Sequence, residues 1–153
     1  MTTDDLLRKS TAEMVVAGRL WRRLAGEVIG RHGIQEAAAS PLIWIGRLPD
    51  GVRQNVLAEY CSIEGASLVR LLDSLSDGGL VTRTPDPADR RANLLHLTEA
   101  GRAIAEAIEA DLNDLRRRML SDLDPADLEA ALRVFAVIKA AAGRVEPLAL
   151  MEA

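Results

Sequence analysis

The chain is poor in several residue types that carry chemistry. Its 153 residues include one cysteine, one phenylalanine, one tyrosine, two tryptophans and two histidines. A single cysteine excludes an internal disulfide framework, and with only His32 and His96 beside it no zinc site is credible. No stretch approaches the run of about 20 apolar residues that spans a bilayer, and the start MTTDDLLRKS lacks a signal-peptide pattern. A cytoplasmic protein with no membrane partner is expected. Enzyme signatures are missing too. There is no phosphate-binding glycine loop, no GxGxxG, no metal-binding histidine pair and no nucleophile elbow, so neither a catalytic residue nor a cofactor is expected. Nor is there a basic excess: 19 Lys and Arg against 23 Asp and Glu leave a net charge of −4, which is not the signature of a generally basic nucleic-acid binder.

What is present is helical. Hydrophobic residues make up 48% of the chain and aromatic ones only 3%, a balance that favours helices packed by aliphatic side chains around a core that this length can bury. Over residues 4–31, Met14, Trp21 and Val28 recur seven apart, with Ala17, Leu24 and Ala25 on the same face; Thr3 is the expected N-cap before Asp4 and Asp5. A second helix is expected over 35–48, carrying Leu42, Ile45 and Leu48. Pro41 predicts that it starts at Ser40-Pro41 or kinks there. LPDGVRQ reads as a turn. A third helix follows at 54–61 with Val56, Leu57 and Tyr60 inward, and Ser62-Ile63 is a tight connection. Farther on, Thr98 caps a helix with Ile104, Ile108, Leu112, Leu115 and Met119 on one face. Asp124-Pro125 opens a last helix whose stripe is Leu128, Leu132, Phe135, Ile138 and Ala142. Gly143 closes it, before an apolar tail at 145–151. The first and the last two helices carry more apolar surface than a small domain can cover, which predicts a partner subunit.

The chain is organised around residues 63–98, which read as a helix, a sharp stop, a strand, an arginine-bearing loop and a returning strand. Leu68, Leu71, Leu72 and Leu75 form one apolar stripe, while Glu64, Ser67, Arg70 and Ser74 lie on a different face. Gly78-Gly79 ends the helix. Residues 80–84 and 93–97 are strand candidates around PDPADRRA, and Leu95 and Leu97 alternate with His96. This is the pattern of a winged helix-turn-helix head, which puts a helix in the major groove of DNA and a loop beside it. On the outer face, Arg70 suits the O6 and N7 of guanine, and Ser67 suits a base edge or a phosphate. Four arginines (70, 83, 90, 91) are matched by four aspartates (73, 77, 86, 89). Charge alone therefore favours a solvated surface of paired charges; the order of the motifs favours arginines turned toward phosphates, with aspartates bracing the hairpin or facing away.

SLVRLLDSL, DGGLVTR, DPADRR and HLTEAG, in that order and spacing, resemble the MarR family of bacterial transcriptional regulators, nearest to its SlyA-like branch. The match is most specific over residues 57–101. The resemblance implies a mainly α fold with a small β-hairpin wing, in one domain over 1–153. A winged helix-turn-helix at about 35–98 would be joined to a helical dimerisation platform from about 4–31 and 98–151. It also implies a homodimer acting as a repressor rather than an activator on a pseudo-palindromic double-stranded operator. One of Arg90 and Arg91, in the D-x-R signature, would enter the minor groove while the other would pair with an aspartate of the wing. Ser62 and Arg83 are lesser phosphate contacts. The family's junction between platform and head implies a site for a small aromatic or anionic effector, for which Trp21, His32 and Trp44 are the candidates. Cys61, at the apolar end of the third helix, reads as a core cysteine and not as a redox switch. The competing reading is a winged-helix module for protein–protein contact, which would lack salt-dependent, sequence-selective duplex binding.

Overall fold

The described part of this computed structural model is residues 1–142, the side chains of Arg90 and Ala142 excepted. It runs α1 (Thr3–Gly30), α2 (Glu36–Arg47), β1 (Val52–Arg53), α3 (Gln54–Cys61), α4 (Gly65–Asp77), β2 (Val81–Asp86), β3 (Asp89–Leu97), α5 (Glu99–Leu120) and α6 (Pro125–Ala142). The chain divides into two units, Met1–Leu115 and Arg116–Ala153. The expected stop at Gly143 and the tail at 145–151 lie outside the described residues. No described helix is long and apolar enough to cross a membrane.

The N-cap of α1 is Thr2, one residue before the expected Thr3. Thr2 Oγ1 accepts the Asp5 N–H at 3.2 Å, and Asp5 Oδ2 accepts the Thr2 N–H at 3.0 Å. That reciprocal box needs an acid three residues after the threonine, which Thr2 has and Thr3 lacks. In α2 the start at Ser40-Pro41 is ruled out, because the helix begins at Glu36 and includes Pro41. Pro41 forfeits one backbone hydrogen bond, but its ring is fully buried, and packing outweighs the loss.

The first unit has two apolar clusters. In the larger, Leu42 and Ile45 of α2, Leu57 of α3, Leu68, Leu72 and Leu75 of α4 and Val81 and Leu95 of the sheet pack together. Each fully buried leucine among them contributes about 1.5–3 kcal/mol. The smaller joins Ala25, Val28 and Ile29 of α1 to Ala39 of α2 and Ile108 and Leu112 of α5. Tyr60, expected inward, is 49% exposed. It lies on the rim of the cluster, tilted against Trp44 with ring centroids 5.0 Å apart.

The strands form one antiparallel sheet in the order β1-β3-β2. β1 escapes sequence reading because two residues cannot display an alternation. The wing is longer than expected: its strands run to Asp86 and from Asp89, so Arg90 and Arg91 lie in β3 and only Pro87-Ala88 forms the turn. Carboxylates fold this tip, since Asp86 Oδ1 accepts the Ala88 N–H at 2.8 Å and Asp89 Oδ1 accepts the Arg91 N–H at 3.0 Å. A register shift between Pro85 and Asp86 accommodates the proline.

Two junctions hold α4 in place. At its end Gly79 takes φ +70°, the Gly79 N–H reaches Ser76 O, and the Leu80 N–H reaches Leu75 O, both at 2.9 Å. This is a Schellman stop, which glycine adopts without steric cost. Thr98 then caps α5 as expected, accepting the Gly101 N–H at 3.0 Å, while its own hydroxyl donates to Gly79 O at 2.8 Å. α5 lies so close to this exit that a Cβ on Gly101 would sit 2.0 Å from Leu80 O. In the second unit, Asp124 Oδ1 accepts the Ala126 N–H at 2.8 Å and so caps α6.

Candidate nucleic-acid interface

The connection from α3 to α4 is short because Ser62 enters the left-handed region at φ 52°, its N–H bonding Glu59 O at 3.2 Å. Glu64 is the N-cap of α4. From there the spacing of the leucines decides which face is free. Leu68, Leu72 and Leu75 are buried in the larger cluster, so Glu64, Ser67, Arg70 and Ser74 are exposed, as is Ser62. A short turn, a helix with a polar outer face and an adjoining hairpin are the parts of a winged helix-turn-helix.

The arrangement of charge decides what this surface presents. Arg83 is paired with Asp73 of α4 at 2.7 Å and thereby ties β2 to the helix, so its guanidinium is engaged within the head. One brace of the wing comes from outside the hairpin. It is Arg53, at the end of β1, whose Nε donates to Asp86 Oδ2 at 2.6 Å. The Ala88 N–H, and after it Arg53, hold the Asp86 carboxyl below its usual value against the opposing effect of burial. Asp89 is occupied by the Arg91 backbone. Asp73, Asp86 and Asp89 are thus engaged locally, while Arg70 and Arg91 are exposed. Arg53 had no legible role in the sequence, since its partner is 33 residues away and only the pairing of β1 with β3 brings them together.

The three effector candidates do not converge. Trp21 packs against the smaller cluster and Trp44 against the larger. The Arg47 guanidinium lies 5.2 Å from the centre of the Trp44 ring. His32 Nε2 is 2.9 Å from Asp111 Oδ2. A cavity of about 110 Å³ lies instead between α2, β3 and α5, lined by Ile43, Leu97 and Ala105 together with Arg47, Arg102, Glu106 and Glu109, and Arg47 is paired with Glu109. Cys61 is partly buried beside the larger cluster. Burial pushes its thiol up from 9.0 against a hydrogen bond with Ser40, the environment of an inert structural cysteine.

One constellation resembles a catalytic triad. His96 lies between Thr84 Oγ1 at 2.9 Å and Asp50 Oδ1 at 3.0 Å. Thr84 is exposed and the Asp50 side chain is 74% exposed, whereas nucleophilic catalysis needs a water-excluding site with oxyanion donors. The trio bridges the turn before β1 to the wing. Among the described residues no three His, Cys, Asp or Glu side chains form a metal-ion set.

Comparison with known proteins agrees with this geometry. Residues 32–92 match the model of the MarR family. The solved structure of the transcriptional regulator PA3341 is 28% identical, with a TM-score of 0.79, covering 88% of this chain and 98% of that one. CouR from Rhodococcus jostii RHA1, bound to p-coumaroyl-CoA, is 24% identical with a TM-score of 0.75, covering 82% of this chain and 87% of that one. S. aureus MepR in its DNA complex is 20% identical with a TM-score of 0.71, over 92% and 98% of the two chains; these last two likenesses are of fold. With six helices and a three-stranded wing sheet among the described residues, and with the matched segment spanning the winged head, the chain has the fold of the MarR family of transcriptional regulators and is similar to it in sequence over residues 32–92.

Proposed function

We propose that the protein is a sequence-selective, duplex-DNA-binding repressor that acts as a homodimer. One observation carries the reading: a helix fully buried along Leu68 and Leu72 presents Ser67 and Arg70 to solvent beside a hairpin carrying Arg90 and Arg91. In this reading α4 enters the major groove, where Arg70 grips a guanine, and the wing enters the flanking minor groove. Glu64 and Ser62 lie at the groove edge, and Arg83 contributes through its hold on Asp73. The DNA complex of MepR, a protein of like fold, supports the reading.

Dimerisation belongs to the same proposal. Leu6, Leu7, Val15, Val16 and Leu20 on α1 are exposed, as are Leu132, Val134, Phe135 and Val137 on α6. Such apolar surface exceeds what a monomer leaves in water and suits a second copy. The two heads would then read half-sites about 10 bp apart. For a small aromatic or anionic effector, CouR with its p-coumaroyl-CoA is the precedent. Of the candidates Trp21, His32 and Trp44, Trp44 stands beside Arg47, which lines the cavity between α2, β3 and α5 and is paired there with Glu109.

The test is selection of bound sequences from a random duplex pool, which should return a palindrome with that spacing. Titration of the selected duplex should then show Arg70→Ala costing about 1–3 kcal/mol and relaxing preference at one position per half-site. A parent protein with no salt-dependent duplex binding would leave the protein-interaction reading in its place.

A further inference from the structure

A polar cleft of about 350 Å³ opens between the start of α3 and the wing, lined by Arg53, Gln54, Asn55, Asp89, Arg91 and Asn93. Asn93 shares its parity with Leu95, which is buried against the helices. Beyond Asn93 the β2–β3 register shifts, and Asp89, Arg91 and Ala92 of this irregular stretch join the lining, while the first residues of α3 supply the opposite wall. Where leucines stop, arginine and carboxamide side chains take over.

The chemistry of the cleft is that of an anion seat. Arg53 is held in one place by Asp86 at 2.6 Å, a pairing that engages Nε and Nη2 of a guanidinium with five N–H donors. Arg91 is exposed on the other wall. The single carboxylate of the lining, Asp89, accepts the Arg91 backbone N–H. Two guanidiniums and three carboxamides in an open hollow suit a hydrated, singly charged phosphodiester, which arginine forks match in geometry. Such a seat positions without reading bases. We propose that this cleft binds a DNA backbone phosphate beside the wing, with Arg53 and Arg91 as its cationic donors. The proposal rests on the duplex-DNA reading above and adds Arg53, Gln54 and Asn55 to the contact surface.

Asn55 provides the test, because folding and binding respond to its change in opposite directions. It is exposed and second in α3, where an acid is favoured by the helix dipole. Asn55→Asp in the full chain should therefore melt at or above the temperature of the parent. It should nevertheless weaken the selected and a scrambled duplex by a similar factor, roughly tenfold at low salt, and reduce the slope of log K against log salt by about one. Asn55→Lys should strengthen both duplexes. If both variants bind as the parent does while Arg70→Ala loses the selected duplex, the phosphate seat is wrong and the DNA reading stands. A loss confined to the selected duplex would make the cleft a base reader and also overturn the seat. If the parent binds no duplex, both readings fall together.

Discussion

The reading head and α6 carry the same kind of sequence pattern with opposite outcomes. In α4, Leu68 and Leu72 are fully buried and Leu75 nearly so; in α6, Leu132 is 65% exposed and Phe135 45%. Periodicity reports that a helix has an apolar face. It is silent on what covers that face. For α4 the cover lies within the same unit, in Leu42, Leu57 and Leu95. For α6, and for the first half of α1, the exposed rows are the reason to propose a second copy.

The largest expected effect tests that contrast directly. Leu72→Ala removes a fully buried side chain and should cost about 2–5 kcal/mol in denaturant unfolding. The partner to this experiment is Leu132→Asp. If a second copy covers α6, the parent should melt at higher temperature as protein concentration rises, because association stabilises the folded form by mass action. The variant should lose that dependence and scatter light as a monomer. A parent indifferent to concentration would leave the row on α6 uncovered and break the comparison.

A smaller effect is expected where head and α5 meet. Gly101→Ala puts a methyl group against the backbone oxygen of Leu80, which cannot rotate away, so a loss of about 1–3 kcal/mol is expected in the same assay. A variant as stable as the parent would mean that this junction gives way more easily than its geometry implies.

The smallest effect sharpens a second difference, between a head held by apolar packing and a wing held by polar bonds. Asp86 titrates below its ordinary value of 3.8, because the Ala88 N–H and Arg53 favour its charged form. A depressed carboxyl stabilises the fold above the ordinary value, and the stabilisation is lost as pH falls through the lowered one. Acidification below 3.8 should thus loosen the wing tip before the leucine core responds. Carboxyl-resolved NMR titration would show this as a midpoint for Asp86 below that of an unperturbed aspartate; a midpoint at or above 3.8 would remove Arg53 as a brace.

Much of this protein was legible before any coordinates. The stripe from Leu68 to Leu75, the Gly78-Gly79 stop, the Thr98 cap and the Asp124-Pro125 start are local signals, set by side chains and backbone within one or two turns, and each stands where it was expected. The polar face of α4 followed from the same spacing. Other features depended on distant residues. Pro41 continues its helix because the core takes its ring. β1 exists because β3 lies beside it. Tyr60 is half exposed, with its ring tilted against Trp44. Arg53 braces Asp86 across 33 residues, and Trp21 and Trp44 go to separate clusters although both lie on apolar faces. Sequence determines where a helix starts, stops and turns its apolar side, since those energies are local. Which charges meet, which rings are covered and where a cleft opens depend on how elements far apart in the chain pack together, and only the tertiary structure decides them.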